Sequence, residues 1–160
     1  MNKQFAVLGL GSFGRSVALS LEKMGCDVMV VDDSYEKIQE ISDKVSYAMK
    51  ADVTDKDALQ ALGARNLDGA VVAVSEHPEA NIMATLLCKE MGIPLVVAKA
   101  KDKLQGTILE KVGADSVVYP EIEMGSRIAK SMVANEFVDW IELSNDYSIV
   151  EIAVPRLSLI

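Results

Sequence analysis

The sequence predicts an α/β chain: an open, doubly wound parallel sheet of six strands, followed by a further helix and a short strand pair. Three observations carry this. Short β-branched runs alternate with longer amphipathic stretches as far as residue 119. Half of the 160 residues are hydrophobic yet only 5% are aromatic, so the apolar content is mostly Val, Ala, Ile, Leu and Met, which suits strands covered by helices on both faces. A glycine-rich turn, Gly9-Leu10-Gly11-Ser12-Phe13-Gly14, also separates the first strand from the first helix, the place where such sheets grip phosphate.

Taken in order, residues 5–8 form the first strand and 14–24 the first helix. Strand two covers 27–31, and Ser34 caps a helix over 35–44. Strand three, 45–49, completes a βαβαβ unit. A short helix over 55–62 takes Thr54 as its N-cap, with Asp55 in the first turn, where negative charge suits the helix dipole, and Asp57 three residues after the cap. Gly69-Ala70-Val71-Val72-Ala73-Val74 is a buried parallel strand. The helix over 78–91 carries proline in its first turn. Strand five covers 94–98, a helix 103–112 and a weaker sixth strand 116–119, ended by Pro120.

The tail breaks the alternation. Residues 121–137 read as a long amphipathic helix with Ile122, Ile128, Ala129, Met132 and Val133 on its apolar side. Residues 140–143 and 149–154 read as two strands joined by a turn-rich stretch. This pair has little to pack against, which predicts either the beginning of a further C-terminal lobe or a small hairpin covering the sheet domain. The domain division is accordingly 1–137 for the sheet with its last helix, and 138–160 for a linker and the start of a lobe.

Composition narrows the function classes. The net charge is -8, from 24 acidic and 16 basic residues with no local cluster of Lys and Arg, so a nucleic-acid backbone is a poor partner. Cys26 and Cys88 lie far apart in apolar surroundings and read as free thiols. No apolar run approaches the ~20 residues of a membrane span, and no secretory signal is visible. The expectation is a cytoplasmic protein, meeting a membrane only through another subunit.

Chemistry concentrates at the carboxyl ends of the strands. Gly9 permits the tight turn, Gly11 lets the backbone approach a diphosphate, and Gly14 allows close helix–strand packing. Asp32, about twenty residues on, can accept both hydroxyls of an adenosine ribose and would repel a ribose phosphate, which disfavours NADP. Asp33 either meets ligand or caps the second helix, and Arg15 either pairs with terminal phosphate oxygens or is solvated. Asp52, followed by Val53, is placed to touch an adenine edge; Ser75, Glu76 and Lys99 follow strands four and five at the same sheet edge. His77, the lone histidine, reads as an exposed imidazole, with no Asp–His, Cys–His or metal arrangement around it. Nor do the residues after Phe137 suffice for a substrate-positioning domain. Binding without turnover is the reading, with an NAD-dependent oxidoreductase or an NAD(H)-sensing regulator as competing accounts.

In this order, Val7-Leu8-Gly9-Leu10-Gly11-Ser12-Phe13-Gly14-Arg15, Val31-Asp32, Ala51-Asp52-Val53-Thr54-Asp55, Ala80-Asn81-Ile82, Val97-Ala98-Lys99-Ala100 and Gly113-Ala114-Asp115-Ser116-Val117-Val118-Tyr119-Pro120-Glu121 resemble the regulator-of-potassium-conductance (KTN) domains of Trk and Ktr potassium transport systems. The chain is most similar to the free-standing cytosolic subunit of a Ktr-type system. The resemblance implies a Rossmann-like fold whose last helix, from about residue 125 to 137, crosses over to a neighbouring subunit, with Met132, Val133, Phe137 and Trp140 at that interface. It implies ATP or ADP, or NAD or NADH, held by Gly9, Gly11 and Gly14 with Ser12 and Phe13 between them, Arg15 reaching the outer phosphate, Asp32 the ribose and Asp52 the base. Glu121 matches an acidic residue near which some members bind a divalent cation, and Lys99 stands where arginine is frequent, keeping the charge but not the bidentate geometry. The implied partners are copies of the chain, as dimers in an octameric ring, and a membrane potassium-translocating subunit.

Overall fold

The computed structural model describes residues 2–63, 66–134, 138–142 and 148–152. They form two compact units, Met1–Pro120 and Glu121–Ile160. The first contains β1 (Gln4–Leu8), α1 (Ser12–Lys23), β2 (Asp27–Asp32), α2 (Tyr35–Ile41), β3 (Tyr47–Lys50), α3 (Lys56–Ala61), β4 (Gly69–Val72), α4 (Pro78–Glu90), β5 (Val96–Lys99), α5 (Lys103–Lys111) and β6 (Ser116–Val118). All six strands pair in parallel in the order β3-β2-β1-β4-β5-β6. The order reverses direction between β1 and β4, and ligands of open α/β sheets bind in the crevice at such a point, beyond the carboxyl ends of the strands.

Alternation along the strands divides the core in two. Val7 of β1 and Val28 and Val30 of β2 join Ala18 of α1 and Ile38 and Ile41 of α2 in one apolar layer. Ala6 and Leu8 of β1, with Val72, Val96 and Ala98, join Leu59 of α3, Ala84 and Cys88 of α4 and Leu109 of α5 in the other. Most of these side chains are wholly buried, and each Val or Leu so placed contributes about 1.5–3 kcal/mol relative to exposure. This is the six-stranded doubly wound sheet that the sequence predicts.

Several boundaries differ from the sequence reading, each for a local reason. α1 begins at Ser12 with Gly11 as its cap residue, so the glycine loop itself enters the helix. α2 stops at Ile41, whose burial ends the apolar stripe, and polar Ser42–Lys44 lie outside it. The cap of α3 is Asp55 rather than Thr54: its Oδ1 accepts from the N–H groups of Asp57 and Ala58, while Thr54 turns its hydroxyl to Asp52. Cys26 and Cys88 are free, and burial pushes the Cys88 thiol up to about 12, leaving it protonated and inert.

The second unit contains β7 (Val138–Glu142) and β8 (Ser148–Ile152), an antiparallel pair in the register Val138↔Ile152 through Glu142↔Ser148, and most of α6 (Pro120–Val133). Glu121 and Glu123 occupy the first turn of α6, where they favour its positive end. Ile122, Met124, Ile128, Met132 and Val133 are exposed. Phe137, the turn after Glu142 and the side chain of Trp140 lie outside the described residues. Among the described residues, no helix is long and apolar enough to cross a membrane.

Candidate nucleotide-binding cleft

The cleft is built from the glycine loop outward. Gly9 sits at φ +99°, a conformation that L side chains rarely adopt, and its N–H donates to the Val31 carbonyl at 2.8 Å. A Cβ on Gly14 would overlap the Gly9 carbonyl oxygen, so α1 packs against the loop only because residue 14 has no side chain. The cap residue Gly11 brings no side-chain acceptor, so the first-turn N–H groups of α1 remain for an anion.

Asp32 ties this loop to β2. Its Oδ2 accepts from Leu10 N–H at 2.7 Å and its Oδ1 from Ser34 N–H at 2.8 Å, and the residue is 7% exposed. An ionised carboxylate has about four acceptor positions, so two remain for vicinal ribose hydroxyls. The Asp52 carboxylate accepts from the Thr54 hydroxyl at 2.6 Å and from Thr54 N–H at 2.8 Å. The hydroxyl bond, followed by the N–H bond, holds the Asp52 carboxyl below its ordinary range and fixes it as an anion.

A cleft of about 340 Å³ lies along this edge. Of the residues expected from sequence, Gly9, Gly11, Asp32, Asp33, Asp52, Val53, Ser75 and Glu76 line it. Ser12, Phe13, Gly14 and Arg15 do not: the first three belong to the loop and first turn of α1, and Arg15 is half-buried one residue further along. Lys99 is also absent from the wall, being 7% exposed, but its Nζ donates to Ser75 Oγ at 2.9 Å and thereby reaches a residue that does line it. Ser75 Oγ would be 3.6 Å from a Cβ on Gly11, so the hydroxyl faces the glycine loop across the narrow part of the cleft.

Sequence reasoning missed Lys37, Thr54 and Ala80, and it treated His77 as surface only; the imidazole is exposed and also lines the cleft. Lys37 lies on the solvent side of α2, where periodicity reads a lysine as ordinary surface, and only tertiary placement brings it to the cleft wall with Asp32 and Asp33. It matters because the other ionisable groups of the wall, apart from His77, are the carboxylates of Asp32, Asp33, Asp52 and Glu76. An anionic ligand must therefore be held chiefly by backbone N–H groups, with Lys37 and the recessed Lys99 supplying positive charge.

Glu121 stands in the first turn of α6. Among the described residues no three His, Cys, Asp or Glu side chains gather to hold a metal ion. The described residues by themselves therefore supply no protein-only divalent site.

A sequence profile of the TrkA-N domain matches residues 5–120. The chain is 41% identical over 152 residues to the Ktr system potassium uptake protein C of Bacillus subtilis (strain 168), covering 95% of this chain and 69% of that one. Among solved structures, it superposes with a TM-score of 0.72 on the Kef C-terminal domain of Shewanella denitrificans in its AMP-bound form, at 21% identity over 83% of this chain and 80% of that one. The superposition on GsuK bound to ADP has a TM-score of 0.67, at 18% identity over 92% of this chain and 46% of that one.

Proposed function

Because the chain belongs to the TrkA-N domain family, we propose that it is a nucleotide-binding regulatory subunit that controls a membrane potassium transporter or channel without catalysing a reaction. The observation that carries this reading is the glycine loop, with Gly11 opposite Ser75, first-turn N–H groups that no side chain caps, and a buried Asp32 beside it. That arrangement accepts phosphate at one end and a ribose diol at the other. The potassium-uptake function of its Bacillus subtilis relative and the adenine nucleotides in the two solved structures support the same reading.

In this account ATP or ADP occupies the cleft, with NAD or NADH as further ligands sharing the same adenosine ribose. Asp32 and Asp33 hold that ribose, Asp52 and Val53 flank the base, Gly9 to Gly14 receive the phosphates, and Ser75, Glu76 and Lys99 border the outer phosphate. Arg15 serves the outer phosphate near a subunit boundary. A divalent cation at Glu121 would take its remaining ligands from water, phosphate or another subunit. The chain works as a homo-oligomer, with dimers building an octameric ring against the membrane subunit. Nucleotides differing in phosphate length shift the ring between shapes only to the extent that they bind those shapes differently, and that difference is what the pore receives.

The test is calorimetric titration of nucleotide-free protein with ATP, ADP, NAD, NADH and NADP under matched conditions. ATP and ADP should bind, and NADP should bind at least about tenfold more weakly than NAD because Asp32 opposes a ribose phosphate. Absence of binding heat with all five would sink the reading.

A further inference from the structure

Asn81 belongs to no part of the cleft wall, yet it is fully buried and its amide occupies a telling place. Pairing between β4 and β5 runs only as far as Val72↔Ala98. Beyond it, the Asn81 Nδ2 donates both to the Val74 carbonyl at 3.0 Å and to the Lys99 carbonyl at 3.1 Å, so one side chain bridges the two strands where their own ladder has stopped. Among the described residues its Oδ1 meets no hydrogen-bond donor, an arrangement that folded proteins avoid. An apolar residue of similar size would escape that cost. What asparagine alone supplies here is its pair of donors.

The two backbones it joins carry the polar groups facing the glycine loop. Ser75 follows directly on Val74, and the Lys99 side chain springs from the other clamped residue. Their side chains meet at 2.9 Å, with Ser75 Oγ opposite Gly11. The two Asn81 Nδ2 bonds also tie α4 to the strand ends, and within the helix Asn81 is held by its N–H to the His77 carbonyl at 3.1 Å and by Thr85 Oγ1, which donates to the Asn81 carbonyl at 2.9 Å. Without the bridge, the ends of β4 and β5 lose their cross-link, and the hydroxyl and ammonium no longer sit at a fixed separation from the loop.

We propose that Asn81 is a positioning residue for the phosphate end of the cleft: it sets the Ser75–Lys99 pair against Gly11 without touching ligand. This rests on the nucleotide-binding reading. It assigns Asn81 no role at the adenosine end, where Asp32 is held independently by Leu10 and Ser34.

The test compares adenosine with ADP on the full chain. Asn81→Leu keeps the branched outline though it is larger, adds no charge and removes both donors; Asn81→Ser retains a single donor on a shorter arm and reports on the same bridge should the leucine variant not fold. Asn81→Leu should weaken ADP binding about tenfold while leaving adenosine within about twofold, and Asn81→Ser should fall between it and the parent. Thermal unfolding of each variant separates lost stability from lost selectivity. Equal weakening of adenosine and ADP, or no change in either, overturns the proposal. A parent chain that binds neither overturns the nucleotide reading itself.

Discussion

Gly11 has room for a methyl group that Gly9 and Gly14 lack. A Cβ there meets only Ser75 Oγ, at 3.6 Å, an ordinary contact, and the backbone at φ -66° suits any residue. At Gly9 the Cβ would stand 2.9 Å from the Ala73 carbonyl carbon, and φ is +99°. The three glycines therefore separate folding from binding. Gly11→Ala should change stability by less than about 1 kcal/mol, because it also lowers the entropy of the unfolded chain, yet weaken ADP about tenfold by filling the phosphate path. Gly9→Ala should cost about 2 kcal/mol or more through the strained backbone and the overlap together. Thermal unfolding with and without ADP distinguishes the two; a Gly11→Ala variant with parental ADP affinity would show that phosphate does not pass over this residue.

Between elements, the Asp115 carboxylate acts as a junction. Its Oδ2 accepts from Lys89 Nζ of α4 at 2.9 Å and from Val96 N–H of β5 at 2.8 Å, just ahead of β6. The Lys89 hydrogen bond first, then the Val96 N–H, lowers the Asp115 pKa. A carboxyl whose folded pKa is depressed contributes stability in full above its unfolded value and loses it as pH falls through the folded value. The pair is partly exposed, so after solvent screening Asp115→Asn should cost about 0.5–1 kcal/mol at pH 7. That gap in urea stability should begin to narrow as pH falls below the ordinary carboxyl value of about 4, and should close only once pH has passed the lower folded value, where the parent carboxyl is protonated too; a gap that does not narrow at all on acidification from pH 7 to pH 3 would refute the assignment. The element order was legible because β-branched runs, helix caps and glycine turns are local signals. Cap identity at Thr54 and Asp55 was not, because either side chain suits the motif and the choice depends on Asp52 capturing the Thr54 hydroxyl. Within the cleft, Gly9, Gly11 and Asp32 were readable from their spacing. Lys37 was not, nor was Asn81 behind the wall, since one reads as a solvated helix face and the other as an ordinary polar residue in an early helical turn.

At the scale of the whole molecule, the cleft and the exposed apolar helix fall in different units of the chain. Every described residue lining the cleft lies within Met1–Pro120, which also holds the six-stranded parallel sheet and both of its apolar layers. The exposed apolar side chains Ile122, Met124, Ile128, Met132 and Val133 all belong to α6, with Met132 75% and Val133 90% exposed. Apolar side chains exposed together on one helix, with Glu123, Arg127 and Lys130 among them, are the kind of surface that association would cover, and the proposed subunit contact lies there. A chain ending at residue 120 should therefore bind ADP within about threefold of the 160-residue chain, because no residue of the cleft is removed. The same truncation should abolish self-association, read by light scattering across a concentration series. Loss of ADP affinity would place part of the site beyond Pro120; association unchanged by the truncation would move the subunit contact onto the sheet unit and leave α6 without that role.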